Sequence, residues 1–380
     1  MIYLDNAATS FPKPRHLTER ARRLVSSPLG NPGRSGHPLS EAAARLLYET
    51  RLSLAELLGL SSEERLVLTS GATAALNLAL TGLCPPVPAG EAPPLVLASV
   101  FEHNSVLRPL YRLEREGRCR LKLVAPETDG SLPLEAEKSG ASLFVFTAES
   151  NVTGFRWDIK ALSAAAARCG ARLLTDAAQR VGLSPFGFWD GPSLICGAGH
   201  KGLFGPMGAG FLAVGDESLP PLEPLLSGGS GTDSFSHTMP AYLPERLEAG
   251  TPPVIPCALM GEGARFVLRE GTGAVEEKLR EDKAYLTAAI KELKGFSLQS
   301  EDCPHGPLSL TLQGLPAHLL AESLAKRGVF CRGGFHCAPL AHRFLGTDRH
   351  GTLRLSPGYF TTRRELDGAL IALRDAAREA

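Results

Sequence analysis

Leu66-Val67-Leu68-Thr69-Ser70-Gly71-Ala72-Thr73-Ala74-Ala75-Leu76-Asn77-Leu78-Ala79-Leu80 changes its pattern midway. The apolar run Leu66 to Thr69 suits a buried strand, Ser70 to Thr73 are small turn residues, and Thr73 to Leu80 reads as a helix. Strand, tight turn and helix in that order are the repeating unit of an α/β fold.

The rhythm extends over about residues 50 to 215. Leu95 to Ser99, Leu121 to Val124, Leu143 to Thr147, Arg172 to Thr175, Leu194 to Cys196 and Gly210 to Val214 are further strand candidates, with helices such as Ile159 to Arg168 between them. We expect a mostly parallel central sheet. A Gly/Ser/Pro-rich stretch from Leu226 to Pro256 breaks the rhythm, and one long helical pattern follows from about Cys257 to Leu293. The remainder reads as strand (Leu308 to Leu312), helix (Pro316 to Arg327), strands (Gly328 to Cys331, Thr352 to Ser356) and a last helix (Leu366 to Ala377). That helix opens on a capping box, Thr362-Arg363-Arg364-Glu365. The expected division is a large α/β domain over 15–255 and a small α+β domain made of 1–14 and 256–380.

The 380 residues carry 40 basic and 40 acidic side chains, so no net positive field exists to hold nucleic acid or an anionic membrane. Apolar runs fall far short of the roughly 20 residues that span a bilayer. The first residues lack the pattern of a signal peptide. Eight cysteines without paired spacing are unlike a secreted disulfide framework, and we expect a cytoplasmic protein.

In open α/β sheets, ligands sit beyond the carboxyl ends of the strands. Ser70-Gly71-Ala72-Thr73 there reads either as a phosphate cradle at a helix N-terminus or as a plain helix cap. Asp176, with Gln179 nearby, follows another strand; it is either an N-cap or a carboxylate that holds a ring nitrogen protonated. Lys201 lies in Gly197-Ala198-Gly199-His200-Lys201-Gly202, just before Gly205 to Gly210. Most lysines are simply solvated. This glycine frame favours a backbone closely approached and an amine directed into a cleft. In Cys331-Arg332-Gly333-Gly334-Phe335-His336-Cys337-Ala338-Pro339, the thiol of Cys337 stands beside histidine and near arginine, a setting that favours the nucleophilic thiolate. A competing reading makes Cys331, His336, Cys337 and His342 metal ligands, although adjacent loop ligands make poor tetrahedral geometry. We assign no metal.

At these residues the chain resembles the class V aminotransferases, and among them the cysteine desulfurases and selenocysteine lyases with a short cysteine loop. The resemblance runs from Tyr3-Leu4-Asp5-Asn6-Ala7-Ala8 through Gly33 to His37, Ser70 to Thr73, Glu102-His103-Asn104, Ser150 to Gly154, Asp176 to Gln179, Gly199-His200-Lys201, Glu248 to Pro252 and Arg332 to Ala338, ending at Arg354-Leu355-Ser356. It implies a fold-type I enzyme dependent on pyridoxal 5'-phosphate (PLP), working as a homodimer with its site at the subunit interface.

The resemblance also implies roles. Lys201 carries PLP as a Schiff base and moves the substrate Cα proton. Asp176 pairs with the pyridinium nitrogen, Gln179 and Asn151 lie near the ring hydroxyl, and His103 is catalytic, stacking on the ring and shuttling protons. Thr73, the Ala72 backbone and His200 hold the phosphate, with Thr251 reaching across from the other subunit. Arg354, with Asn151, His37 and Arg332, receives the substrate. Cys337 takes sulfur from L-cysteine as a persulfide, leaving L-alanine, and passes it to an acceptor protein. The alternative is a selenocysteine lyase or another class V aminotransferase or lyase in which Cys337 is idle. A non-catalytic scaffold would have no use for Lys201, Asp176 and His103 together. Departures from the family pattern are Ala198, which lacks a hydroxyl for one phosphate hydrogen bond worth about 1 kcal/mol, Phe335 before the His-Cys pair, and the stretch Ser230 to Leu243.

Overall fold

A computed structural model describes residues 1–380 except 34, 190–192, 216–220, 301 and 380. Its largest sheet has seven strands, in spatial order Leu66–Thr69, Gly210–Val214, Ser193–Ala198, Arg172–Asp176, Leu143–Thr147, Leu95–Ser99 and Arg120–Val124. These are the strands expected from the sequence. Six run parallel, and Gly210–Val214 is antiparallel to both its neighbours. Apart from the edge strand Arg120–Val124, which is largely exposed, the strands are buried on both faces because helices cover both, which gives two buried clusters, one containing Phe144, Phe146 and Phe211 and the other Val96, Val145 and Leu212.

Glycines fix how closely the backbones meet. A Cβ on Gly210 would lie 2.5 Å from the Gly71 carbonyl carbon, so the antiparallel strand abuts the Ser70–Thr73 turn. A Cβ on Gly263 would lie 1.6 Å from the Leu203 carbonyl oxygen. The helix Val254–Glu270 therefore rests on the chain just beyond Lys201.

The helical pattern expected as one element is two, Val254–Glu270 and Thr272–Lys291. Gly271, at φ 83°, ends the first and turns the chain into the second. The first helix places Cys257, Met260 and Ala264 in the large sheet's core, whereas Leu286 and Ile290 of the second join another core with Leu310, Leu353 and Leu373. That core lines an antiparallel sheet in the order Arg332–Gly334, Thr352–Leu355, Leu308–Leu312, Phe296–Leu298. The N-terminus completes it: Ile2–Tyr3 pairs in parallel with Val329–Phe330, and Asp5 bridges to Ser356. The strand expected over Gly328 to Cys331 thus ends at Phe330, and the chain enters the other sheet at Arg332. Among the described residues no helix is long and apolar enough to cross a membrane.

Candidate active site

Five parallel strands of the large sheet end on one edge and deliver their following residues to one cavity of about 370 Å³. Ala72 and Thr73 follow the first strand; His103, Asn151, and His200 with Lys201 follow three others, and Asp176 ends the remaining one with Gln179 just beyond it. From the antiparallel sheet come Arg332 and Arg354. Cys337 stands at an adjoining groove, which shares Thr73, His103 and Ser105 with the cavity. Two further expected residues line neither the cavity nor this groove. Thr251 lines a separate pocket beside Ser70 and accepts a bond from Asn31 (3.3 Å). His37 caps the helix Pro38–Leu58, its Nδ1 accepting from the Ser40 N–H (3.3 Å).

Burial sets the charges. The Lys201 ammonium is pushed down to about 8, chiefly by desolvation, with Asp176 opposing and Arg354 and Arg332 adding to it. Asp176 is raised by burial and steadied as an anion by the Ala178 N–H (3.0 Å) and by Lys201. His103 falls to about 4 through burial and then Lys201, so it is neutral at physiological pH. Its Nδ1 accepts from the Ser105 N–H (3.0 Å), which puts the proton on Nε2. Ser105 also bonds Thr73 (Oγ to Oγ1, 2.8 Å), linking the histidine to the cradle. The sequence offered no signal for Ser105 beyond its place two residues after His103.

The cradle itself has open donors. Gly71 precedes the helix Ala72–Leu83 with no side-chain cap, so the first-turn N–H groups are available to an anion. Two cavity residues keep a buried nitrogen with no protein partner, His200 Nδ1 and Arg354 Nε. An aromatic aldehyde phosphate suits this set: open amides for its phosphate, a carboxylate for its ring nitrogen, and a buried amine of depressed basicity for its carbonyl.

Arg354 spends two of its nitrogens on protein. Nη2 pairs with Asp5 Oδ1 (2.8 Å) and Nη1 donates to the Asn151 carbonyl (3.1 Å). Asn151 in turn donates from Nδ2 to the His336 carbonyl (2.7 Å), tying the arginine to the cysteine loop. In that loop His336 and Cys337 both take left-handed backbone (φ 50° and 58°), a conformation costing non-glycine residues about 1 kcal/mol or more each. The Asn104 N–H bonds the Cys337 carbonyl (2.7 Å) and helps hold it. Arg332 Nη2 lies 3.7 Å from Cys337 Sγ and donates to it. Among the described residues no group of three or more His, Cys, Asp or Glu side chains is placed to hold a metal ion.

Known proteins share this architecture. The chain is 30% identical to a probable cysteine desulfurase 2 of Mycobacterium leprae, covering 100% of this chain and 93% of that one. It is 28% identical to a probable cysteine desulfurase of Pyrococcus abyssi, over 100% and 94%. The solved apo cysteine desulfurase of Thermococcus onnurineus superposes with a TM-score of 0.89 at 28% identity, covering 100% of this chain and 95% of that one. Matched over residues 2–368, the chain belongs to the aminotransferase class-V family.

Proposed function

We propose that this chain is a PLP-dependent cysteine desulfurase that converts L-cysteine to L-alanine and carries the sulfur as a persulfide on Cys337. The observation that carries the reading is the placement of Cys337: a thiol in a constrained loop, beside Arg332, at the mouth of the cavity that holds Lys201.

Lys201 would hold PLP, with Asp176 at the ring nitrogen, Gln179 and Asn151 on the hydroxyl side, His103 over the ring, and Ala72, Thr73 and His200 around the phosphate. When bound, PLP supplies the electron sink for the pair left at substrate Cα. Arg354, anchored by Asp5 and Asn151, presents its remaining donors to the substrate carboxylate. Lys201 Nζ, poised near neutrality, takes and returns the Cα proton. Cys337 thiolate attacks the substrate sulfur; the new S–S bond forms as the Cβ–S bond breaks, and protonation completes alanine.

The same reading extends to assembly. Thr251 and His37, which the cavity of one chain does not receive, would serve that of a second copy in a homodimer. A sulfur-acceptor protein follows from the persulfide, and eight unpaired cysteines suit a cytoplasmic setting. We further propose two units, 15–255 and 1–14 with 256–380, joined through the helix Val254–Glu270.

The test is incubation of purified protein with L-cysteine and dithiothreitol, assaying alanine and sulfide together beside Cys337→Ala and Lys201→Ala. Equimolar products from the parent, lost in both variants, support the assignment. Undiminished turnover in Cys337→Ala would sink the role of the thiol.

A further inference from the structure

The groove at Cys337 is charged in one sense only. It has a volume of about 540 Å³, and its charged side chains are Arg108 and Arg112, one turn apart on the helix Asn104–Arg115; Asn77 also lines it. No carboxylate lines it. The acidic residues later on the same helix and just past its end are engaged elsewhere: Glu114 accepts from the Leu121 N–H (2.8 Å), and Glu116 pairs with Arg118 (3.6 Å). Arg108 is exposed, and none of the ion pairs of the described residues includes it. Arg112 is half-buried, with one nitrogen on Thr81 Oγ1 (3.2 Å). Neither arginine lines the PLP cavity. A pair of guanidiniums beside the Cys337 thiol, on a protein of zero net charge, raises the local concentration of anionic partners.

We propose that this groove receives an acidic, cysteine-bearing segment of the sulfur-acceptor protein, a proposal that rests on the desulfurase reading. The acceptor thiolate attacks the outer sulfur of the Cys337 persulfide. The S–S bond breaks, Cys337 leaves as thiolate, and the persulfide is now on the acceptor, so atoms and charge balance with no added oxidant or reductant. Arg108 and Arg112 steer the approach of the segment and take no part in forming the enzyme persulfide.

The experiment loads the whole enzyme with sulfur from L-[35S]cysteine, removes free substrate, and adds synthetic peptides with a single cysteine flanked by glutamates, by serines or by lysines. Label transferred to peptide is followed at low salt and at about 1 M salt, where the screening length is about 3 Å. The expected result is transfer to the glutamate peptide roughly tenfold faster than to the serine peptide at low salt, with the gap closing at high salt. Arg108→Glu, and Arg108→Glu with Arg112→Glu, should shift the preference to the lysine peptide and leave alanine formation with dithiothreitol unchanged. Arg108→Glu alone leaves the Arg112 to Thr81 bond in place and so separates charge from packing. Equal rates for the three peptides, or a glutamate preference that survives both variants, overturns the proposal, as does inhibition by a uridine oligonucleotide without any peptide preference. An enzyme that takes up no label at Cys337 overturns the desulfurase reading itself, and that result is read before any peptide is added.

Discussion

Arg354 is buried to 1% side-chain exposure and Asp5, at the other end of the chain, holds its Nη2 at 2.8 Å. The pair closes the N-terminal segment onto the antiparallel sheet and sets the plane of the guanidinium at the cavity. Asp5→Asn leaves that buried cation without its counter-charge. Asp5 itself is about a quarter exposed, so water recovers part of the loss, and we expect destabilisation of about 1–3 kcal/mol in urea unfolding. Arg354→Lys keeps the charge and loses the fork. Its kcat/KM for cysteine should fall about tenfold to a hundredfold, mainly through KM. An unchanged KM would remove Arg354 from carboxylate binding.

The depressed basicity of Lys201, about 8 in place of 10.5, predicts two pH effects. Its neutral amine, the form that captures an aldehyde, rises with pH and levels above about 8. The rate at which cofactor-free protein takes up PLP should follow that profile, and an inflection near 10.5 would contradict it. For stability, the folded value lies below the unfolded one, so the unfolded chain binds the proton first as pH falls. The penalty on the folded state grows from pH 10.5 down to 8 and is complete below 8. Lys201→Met should therefore stabilise cofactor-free protein at pH 7, by at most about 3 kcal/mol, with the difference shrinking as pH rises through that window.

The large sheet was legible because most of its strands are short apolar runs bounded by small or polar residues, the pattern of strands buried on both faces. The direction of Gly210–Val214 was not, since a strand buried on both faces reads alike in either direction. The break at Gly271 left a signal in Gly271-Thr272-Gly273, which the apolar periodicity on both sides concealed. Asp176 and Lys201 were singled out by their places at strand ends, which the sequence marks, whereas the role proposed for His103 rests on the family resemblance. The Asp5 to Arg354 pair joins residues nearly a chain length apart, and no local pattern encodes such a contact.

Ser105 ties His103 to Thr73 by accepting and donating at one hydroxyl, with contacts of 2.9 and 2.8 Å. Ser105→Ala removes both bonds without touching the groups proposed to meet the cofactor. The expected loss is about 1 kcal/mol of PLP affinity, roughly fivefold in Kd by fluorescence titration of cofactor-free protein. Ser105→Thr should restore most of it. Affinity equal to the parent in Ser105→Ala would show that Thr73 and His103 are held without it.

His336 differs from the usual catalytic histidine next to a thiol. It is buried, and its Nε2 donates to the Thr352 carbonyl (2.9 Å). Burial first, and then Arg354 and His342, push it down to about 2. It stays neutral at any working pH, and its ring faces the sheet. We therefore expect it to position Cys337 and to exchange no proton. His336→Ala frees the Thr352 carbonyl and releases the strained pair of left-handed residues, so the thiol loses its place. The expected outcome is a fall in kcat of about tenfold to a hundredfold with KM for cysteine nearly unchanged, because Arg354 is untouched. His336→Asn, which can still donate to Thr352, should recover part of the rate. The decisive readout is the pH profile: with dithiothreitol as acceptor, both variants should keep the parent's inflections. A lost inflection between pH 5 and 7 would show that His336 titrates, and the positioning role would give way to general acid or base catalysis.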